Sequence, residues 1–313
     1  MKPIIAPVDR EVLKAELNAE RFLRHTNNGG NTIYVVDATN CPHTMQEIGR
    51  LRELAFREAG GGTGEEVDID HEDLAADGYR QLIVWDPAKE EILGGYRFIV
   101  SKSTHPAHLS TEHYFRFSDK FREEYLPYTL ELGRSFVAPD YQGTRVNKKG
   151  LYALDNLWDG LGAILSHDPD IRYLFGKVTM YGHYNQQARN TLLFFLRKYF
   201  PDPDQLVEPI YPLDLHIDEG RMEALFNGGC YAEDYKILSK EIRGLGENIP
   251  PLINSYMNLS PSMRVFATVE NPEFGGVEET GILITRDDIY LKKVERHFTS
   301  LERPLQPDRF ELL

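Results

Sequence analysis

Between Tyr128 and Tyr152 the chain reads YTLELGRSFVAPDYQGTRVNKKGLY, and this run limits the possible folds more than any other. A β-prone segment leads into Pro139, which has no N–H to give to a ladder and so ends the strand. A polar bend follows, with Gly143 and three cations, Arg145, Lys148 and Lys149. From Leu151 to Leu165 apolar residues then recur at helical spacing. A strand that turns directly into a helix presents unpaired backbone N–H groups at the helix start, where an anionic group binds. Within the strand, Glu131 points away from Leu130 and Leu132. Arg134, three residues on, falls on the opposite face from Glu131 unless a bulge intervenes.

The flanking chain alternates between the same two element types. Residues 10–26 carry Val12, Leu13, Leu17 and Phe22 at helical spacing. Residues 32–38 read as a short strand, and 44–59 as a helix with a Thr44/Glu47 capping box. The glycine-rich 60–66 has no Gly-Lys-Ser/Thr after it, which excludes a nucleotide loop and leaves a mobile loop beside a binding site. QLIVWD (81–86) and ILGGYRFIV (92–100) form a hairpin. Further strands are expected at 171–181, 263–271 and 280–288, with helices at 185–200 and across 234–259 broken at Ile249-Pro250-Pro251. Hairpins first and strand–helix–strand–helix later imply a mixed α/β sheet. The proline-rich 201–214 is the expected boundary between a core (1–200) and a C-terminal extension (201–313).

Charge narrows the partners. A net charge of −14 over 313 residues argues against non-specific nucleic-acid binding. Residues 51–80 hold nine acids and three Lys or Arg, a local −6; residues 141–200 hold eight Lys or Arg and four acids, a local +4. This pattern suits a cationic substrate beside an anionic donor, or else two solvated surfaces. Two distant cysteines, Cys41 and Cys230, fit a reducing interior. With no secretory signal and no long apolar run, the expectation is a cytoplasmic chain, at most peripheral to the inner membrane. The histidines at 105, 108 and 113 lack metal-ligand spacing and read as surface loop.

Several pieces carry a resemblance: Arg52 and Phe56, DIDHED (68–73), LGGYRFI (93–99) with Arg97, ELGRSFVAPDYQ (131–142), and the late PPLINSYMNL and ENPEFGGVEETGILI. Together they resemble the bacterial lipid-forming N-acyltransferases of the GCN5-related fold, the hemolysin-like ornithine and glycine acyltransferases, relatives of the acyl-homoserine-lactone synthases. The resemblance implies an α/β, mostly antiparallel sheet flanked by helices, with a C-terminal helix-strand extension. It also implies transfer of a fatty acyl group, with or without a 3-hydroxyl, from acyl carrier protein to the α-amine of glycine or ornithine, in aminolipid synthesis. The bend QGTRVNKKG lacks the Q/R-x-x-G-x-G/A spacing of acetyl-CoA users, which fits the carrier-protein branch.

On that reading no cofactor is permanently bound and no metal is implied. The donor substrate is an acyl-phosphopantetheine thioester, on acyl carrier protein or on CoA. Glu131 is the expected base or acceptor-orienting group, against a plain ion pair with Arg97. Asp68, Asp70 and Asp73 would take the acceptor's ammonium, and Arg52, Arg97 and Arg134 its carboxylate, against a structural Arg–Asp network. Backbone N–H groups at Phe136, Val137 and Ala138 would hold the thioester carbonyl. Gly143, Arg145, Lys148 and Lys149 would meet the phosphate, and Asn185 either contacts the donor or simply caps its helix. The aromatic run 191–200 reads as core or as an acyl-chain tunnel. The alternatives are a CoA-dependent N-acetyltransferase of small amines and a non-catalytic acyl-binding protein.

Overall fold

The computed structural model describes residues 1–102, 106–142 and 150–298. In chain order these form α1 (Arg10–Glu16), β1 (Phe22–His25), β2 (Thr32–Val36), α2 (Pro42–Glu58), α3 (His71–Leu74), β3 (Arg80–Asp86), β4 (Glu91–Val100), β5 (Phe115–Phe117) and β6 (Thr129–Val137). Then follow α4 (Gly150–His167), β7 (Tyr173–Met180), α5 (Gln186–Tyr199), β8 (Val207–Pro209), α6 (Glu219–Leu225), α7 (Tyr231–Gly244), α8 (Pro251–Met257), β9 (Arg264–Asn271), β10 (Val277–Thr285) and α9 (Leu291–His297).

Eight strands make one sheet in the order β1-β2-β3-β4-β6-β7-β10-β9, while β5 and β8 pair as a separate ribbon. Every pairing in the large sheet is antiparallel except β6 with β7, which are joined by the crossover through α4. This is the mixed, mostly antiparallel α/β architecture expected. Helices cover both faces. Adjacent residues of β3 show this: Gln81 meets Arg52 of α2, while Leu82 packs within 2.6 Å of where a Cβ on Gly160 of α4 would stand. The C-terminal strands β10 and β9 extend the same sheet beyond β7.

Three local expectations are corrected. The 10–26 stretch is not one helix: α1 ends at Glu16, and Phe22–His25 becomes the edge strand β1. Thr44 does not cap α2. The N-cap is Cys41, which makes no side-chain cap bond; Glu16 instead reaches across to accept from the His43 and Thr44 N–H groups at 3.1 and 2.7 Å. The glycine-rich 60–66 is tied down rather than free, because the buried Glu53 carboxylate accepts from Thr63 N–H, Thr63 Oγ1 and Gly64 N–H at 2.8–3.0 Å.

Candidate active site

The sheet opens at its middle. Pairing of β6 with β7 runs from Thr129↔Tyr173 to Leu132↔Gly176 and stops, although β6 continues to Val137 and β7 to Met180. Each strand stays paired on its other side, β6 with β4 as far as Val137 and β7 with β10 as far as Met180. The two backbones therefore part without fraying. The last rung needs glycine: a Cβ on Gly176 would stand 2.6 Å from the Leu132 carbonyl oxygen. Burial records the gap. Leu132, Gly133 and Arg134 are only partly buried and Ser135 is exposed, on a strand with three neighbours to one side of it and four to the other.

A bulge sits at the same place. Between the pairs Gly95↔Phe136 and Arg97↔Gly133, β4 has one residue and β6 has two, Arg134 and Ser135. Arg134 takes φ +51°, a left-handed conformation that a side chain disfavours. It is held there by Asp68 (3.3 Å), Asp70 (3.7 Å) and the ring of Phe274 beneath its guanidinium at 4.4 Å.

Glu131 is closed off. It is 1% exposed, and its carboxylate accepts from the Tyr79 hydroxyl, Ser110 N–H (2.9 Å) and Thr111 N–H (3.1 Å). Burial pushes its pKa up, with the Tyr79 hydroxyl and the Thr111 bond opposing. Its oxygens are already engaged by neutral donors. The ion pair with Arg97 is not formed. Arg97 lies over the Tyr79 ring at 4.6 Å, so it touches Glu131 through the tyrosine.

The other predicted acids and arginines are brought together as one network. Arg97 donates to Asp70 (2.7 Å) and Glu72 (2.8 Å) and lies 3.4 Å from Asp73. Arg52 donates to Asp73 (3.0 Å) and Gln81, with both members of the Arg52–Asp73 pair fully buried. Burial works against the Asp73 charge, but Arg52 and Arg97 outweigh it and hold the carboxyl far below its usual range. Asp68, 0% exposed, behaves oppositely: burial raises its pKa, since Arg134 is its nearest cation and its oxygens accept no hydrogen bond. Phe136 and Ala138 are buried beside the bulge. The Ala138 N–H donates to the Leu93 carbonyl at 2.9 Å, so it is not free to hold a thioester oxygen, contrary to expectation.

One pair at the opening escaped the sequence reading. Lys177, the first residue of β7 beyond its last rung with β6, bonds to Glu279 of β10 and lies over the Tyr114 ring at 4.3 Å. Glu279 is 3% exposed and the Lys177 side chain 14%. The available signal was a charge inside each of two apolar β-runs, YLFGKVTM and VEETGILIT.

This chain is similar to known proteins. An acetyltransferase (GNAT) domain matches residues 51–150, which span the ion network, the β3–β4 hairpin and β6. Over 306 residues the chain is 53% identical to the glycine N(alpha)-acyltransferase of Phocaeicola vulgatus, covering 96% of this chain and 94% of that one. The glycine N(alpha)-acyltransferase of Bacteroides thetaiotaomicron is 54% identical over 302 residues, 95% of this chain and 90% of the relative. The chain belongs to this N-acyltransferase family. Among solved structures, the AHL synthase LasI overlaps 49% of this chain and 74% of its own at a TM-score of 0.31 and 16% identity, too loose a match to support any inference.

Several expectations about this N-acyltransferase's surface change with the structure. The acidic 51–80 stretch divides: Glu53, Asp68, Asp70, Glu72 and Asp73 pair with arginines, while Glu58, Glu65, Glu66 and Asp77 are exposed. Among the described cations of 141–200, Lys177, Arg189, Arg197 and Lys198 each pair with an acid. Gly143, Arg145, Lys148 and Lys149 lie outside the described residues, as does His105. Asn185 is the N-cap of α5, accepting from Gln187 and Ala188 N–H. The 191–196 run of α5 is core. A groove of about 430 Å³ on α5 and α6, bordered by Phe194 and Phe226, is lined by none of the predicted site residues. His113 approaches Glu72 (3.1 Å), and with His71 their ligand atoms fall within 4.8 Å of one another, while His108 pairs with Glu112. No helix among the described residues is long and apolar enough to cross a membrane.

Proposed function

We propose that this chain moves a fatty acyl group from acyl carrier protein to the α-amine of glycine, making an N-acylglycine for aminolipid synthesis. The observation that carries the reading is the near-full-length likeness, at 53–54% identity, to two proteins named glycine N(alpha)-acyltransferase. The opening between β6 and β7 supports it physically. Backbone groups unpaired along one strand edge accept an extended thioester arm as a further strand would be accepted. In this reading the arginine–carboxylate network beside the bulge takes the zwitterion, Arg134 meeting its carboxylate and Asp70, its side chain 28% exposed, its ammonium.

In this reading Glu131 is a positioning residue. Its bonds to Ser110 and Thr111 anchor the turn Ser110–His113, and its bond to Tyr79 fixes the ring on which Arg97 rests. Residues beyond 200 complete the site, since Phe274 lies under Arg134 and Glu279 meets Lys177. The carrier protein is favoured over CoA as donor because the bend after β6 lacks the acetyl-CoA spacing.

The test is a purified-protein assay with a C16 acyl-carrier-protein thioester or the matching acyl-CoA, and glycine or ornithine as acceptor, read by mass spectrometry. N-acylglycine formed faster from the carrier protein is expected. Equal rates from both donors would remove the carrier-protein preference, a faster ornithine product would replace the acceptor, and no acceptor-dependent product would end the reading.

A further inference from the structure

Acyl transfer needs a group at the opening that exchanges protons with the incoming amine and the outgoing sulfur. Glu131, sealed by Tyr79, Ser110 and Thr111, does not supply it. We propose that the Lys177–Glu279 pair is the proton-handling centre of the transfer, touching the acceptor nitrogen and the departing sulfur where β6 and β7 part. The inference rests on the N-acyltransfer reading above and assigns its catalytic residues.

Position is the first argument. Lys177 follows directly on Gly176, the last residue of β7 paired with β6, so its side chain leaves the sheet at the mouth of the gap. Glu279 faces Thr179 across β10, which puts it diagonal to Lys177 on the same face. The residue directly opposite Lys177 is Gly281, over which the Phe115 and Phe266 side chains pack in place of one of its own. Glu131, in parallel register with Phe175, shares that face two residues earlier along β7.

Electrostatics is the second. The groups facing the Lys177 ammonium are Glu279 from β10, the Tyr114 ring from the segment before β5, Arg134 from the β6 bulge and Arg97 from β4. Burial lowers the Lys177 pKa, Glu279 opposes, and the two arginines push further in the lowering direction. A lysine so placed releases its proton more readily than one in water, as catalytic lysines do.

The acceptor arrives as an ammonium, and Glu279 takes one proton and later returns it to water. The neutral amine attacks the thioester carbon, forming the C–N bond as the C–S bond breaks with its electron pair on sulfur. Lys177 protonates the departing thiolate, and the second amine proton restores Lys177.

A purely structural pair would only staple β7 to β10, and one variant separates the two roles. Replacing a buried ion pair by apolar residues of similar size is usually tolerated by the fold. The double variant Lys177→Met/Glu279→Leu is therefore expected to keep the wild-type circular dichroism spectrum yet lose at least ~100-fold in kcat for glycine-dependent thiol release, as when a general acid–base is removed. Lys177→Arg keeps the cation but does not deprotonate, and is expected to lose at least ~tenfold in kcat with the glycine KM little changed. Activity within about threefold of wild type in either folded variant, a factor too small for a lost general acid–base, overturns the proposal. Should the double variant not fold, Lys177→Arg alone decides. A wild-type protein that releases no thiol with any donor removes the N-acyltransfer reading and this inference together.

Discussion

Glu131 and Glu279 are buried carboxylates on one face of one sheet, and they are held in opposite ways. Glu131 lies where β6 and β7 are still paired, and neutral donors surround it: a phenol and two backbone amides. Glu279 lies past the point where those strands part, and a cation holds it. Neutral hydrogen bonds satisfy an anion's lone pairs without offsetting the full cost of removing its charge from water, so burial still lifts the Glu131 pKa. An ion pair cancels charge but leaves each partner dependent on the other. A sealed carboxylate braces its surroundings.

This contrast is open to measurement. The largest effect is expected from Lys177→Met alone, which leaves Glu279 buried and unpaired. Urea denaturation should show a loss of about 3–5 kcal/mol, the usual cost of breaking a buried pair from one side. A loss under about 1 kcal/mol would mean that water reaches Glu279 and that the cation is not what holds it, since only an exposed pair costs so little. Tyr79→Phe removes one neutral donor from Glu131 and should cost less, about 1–3 kcal/mol by the same measurement.

The smallest effect is one of pH. Because burial raises the Glu131 pKa above the ordinary glutamate range, stability associated with this group is fully present below the unfolded pKa and is lost as pH rises through the folded one. Glu131→Gln cannot titrate. Wild type should therefore lose stability relative to the variant as pH climbs from about 4.5, the ordinary carboxylate range, toward neutrality, read as the gap between urea midpoints. Midpoints that stay parallel across that range would show that burial does not raise the Glu131 pKa.

Much of the fold was readable in the chain. The β3–β4 hairpin, β6, α4, β7, α5 and the two late strands all follow from apolar periodicity and from proline and glycine punctuation, which act over a few residues. The edge strand β1 was misread because four residues of FLRH hold too little pattern to outweigh the helical spacing before them; pairing with β2 makes it a strand. The arginine and aspartate members of the candidate site were named from sequence, yet their arrangement was not, since Arg52 meets Asp73 and Arg97 meets Asp70 across 21 and 27 residues.

The order of residues by itself determined the strand–turn–helix at 128–152 and the charged residues around it, because propensity and punctuation are local properties. Tertiary structure alone decided which charges work on which. Glu131 is sealed by Tyr79, 52 residues away, and Lys177 is paired with Glu279, 102 residues away. No local rule links such positions. The pairing of β7 with β10 on one side, and its parting from β6 on the other, sets both the gap and the chemistry at its edge.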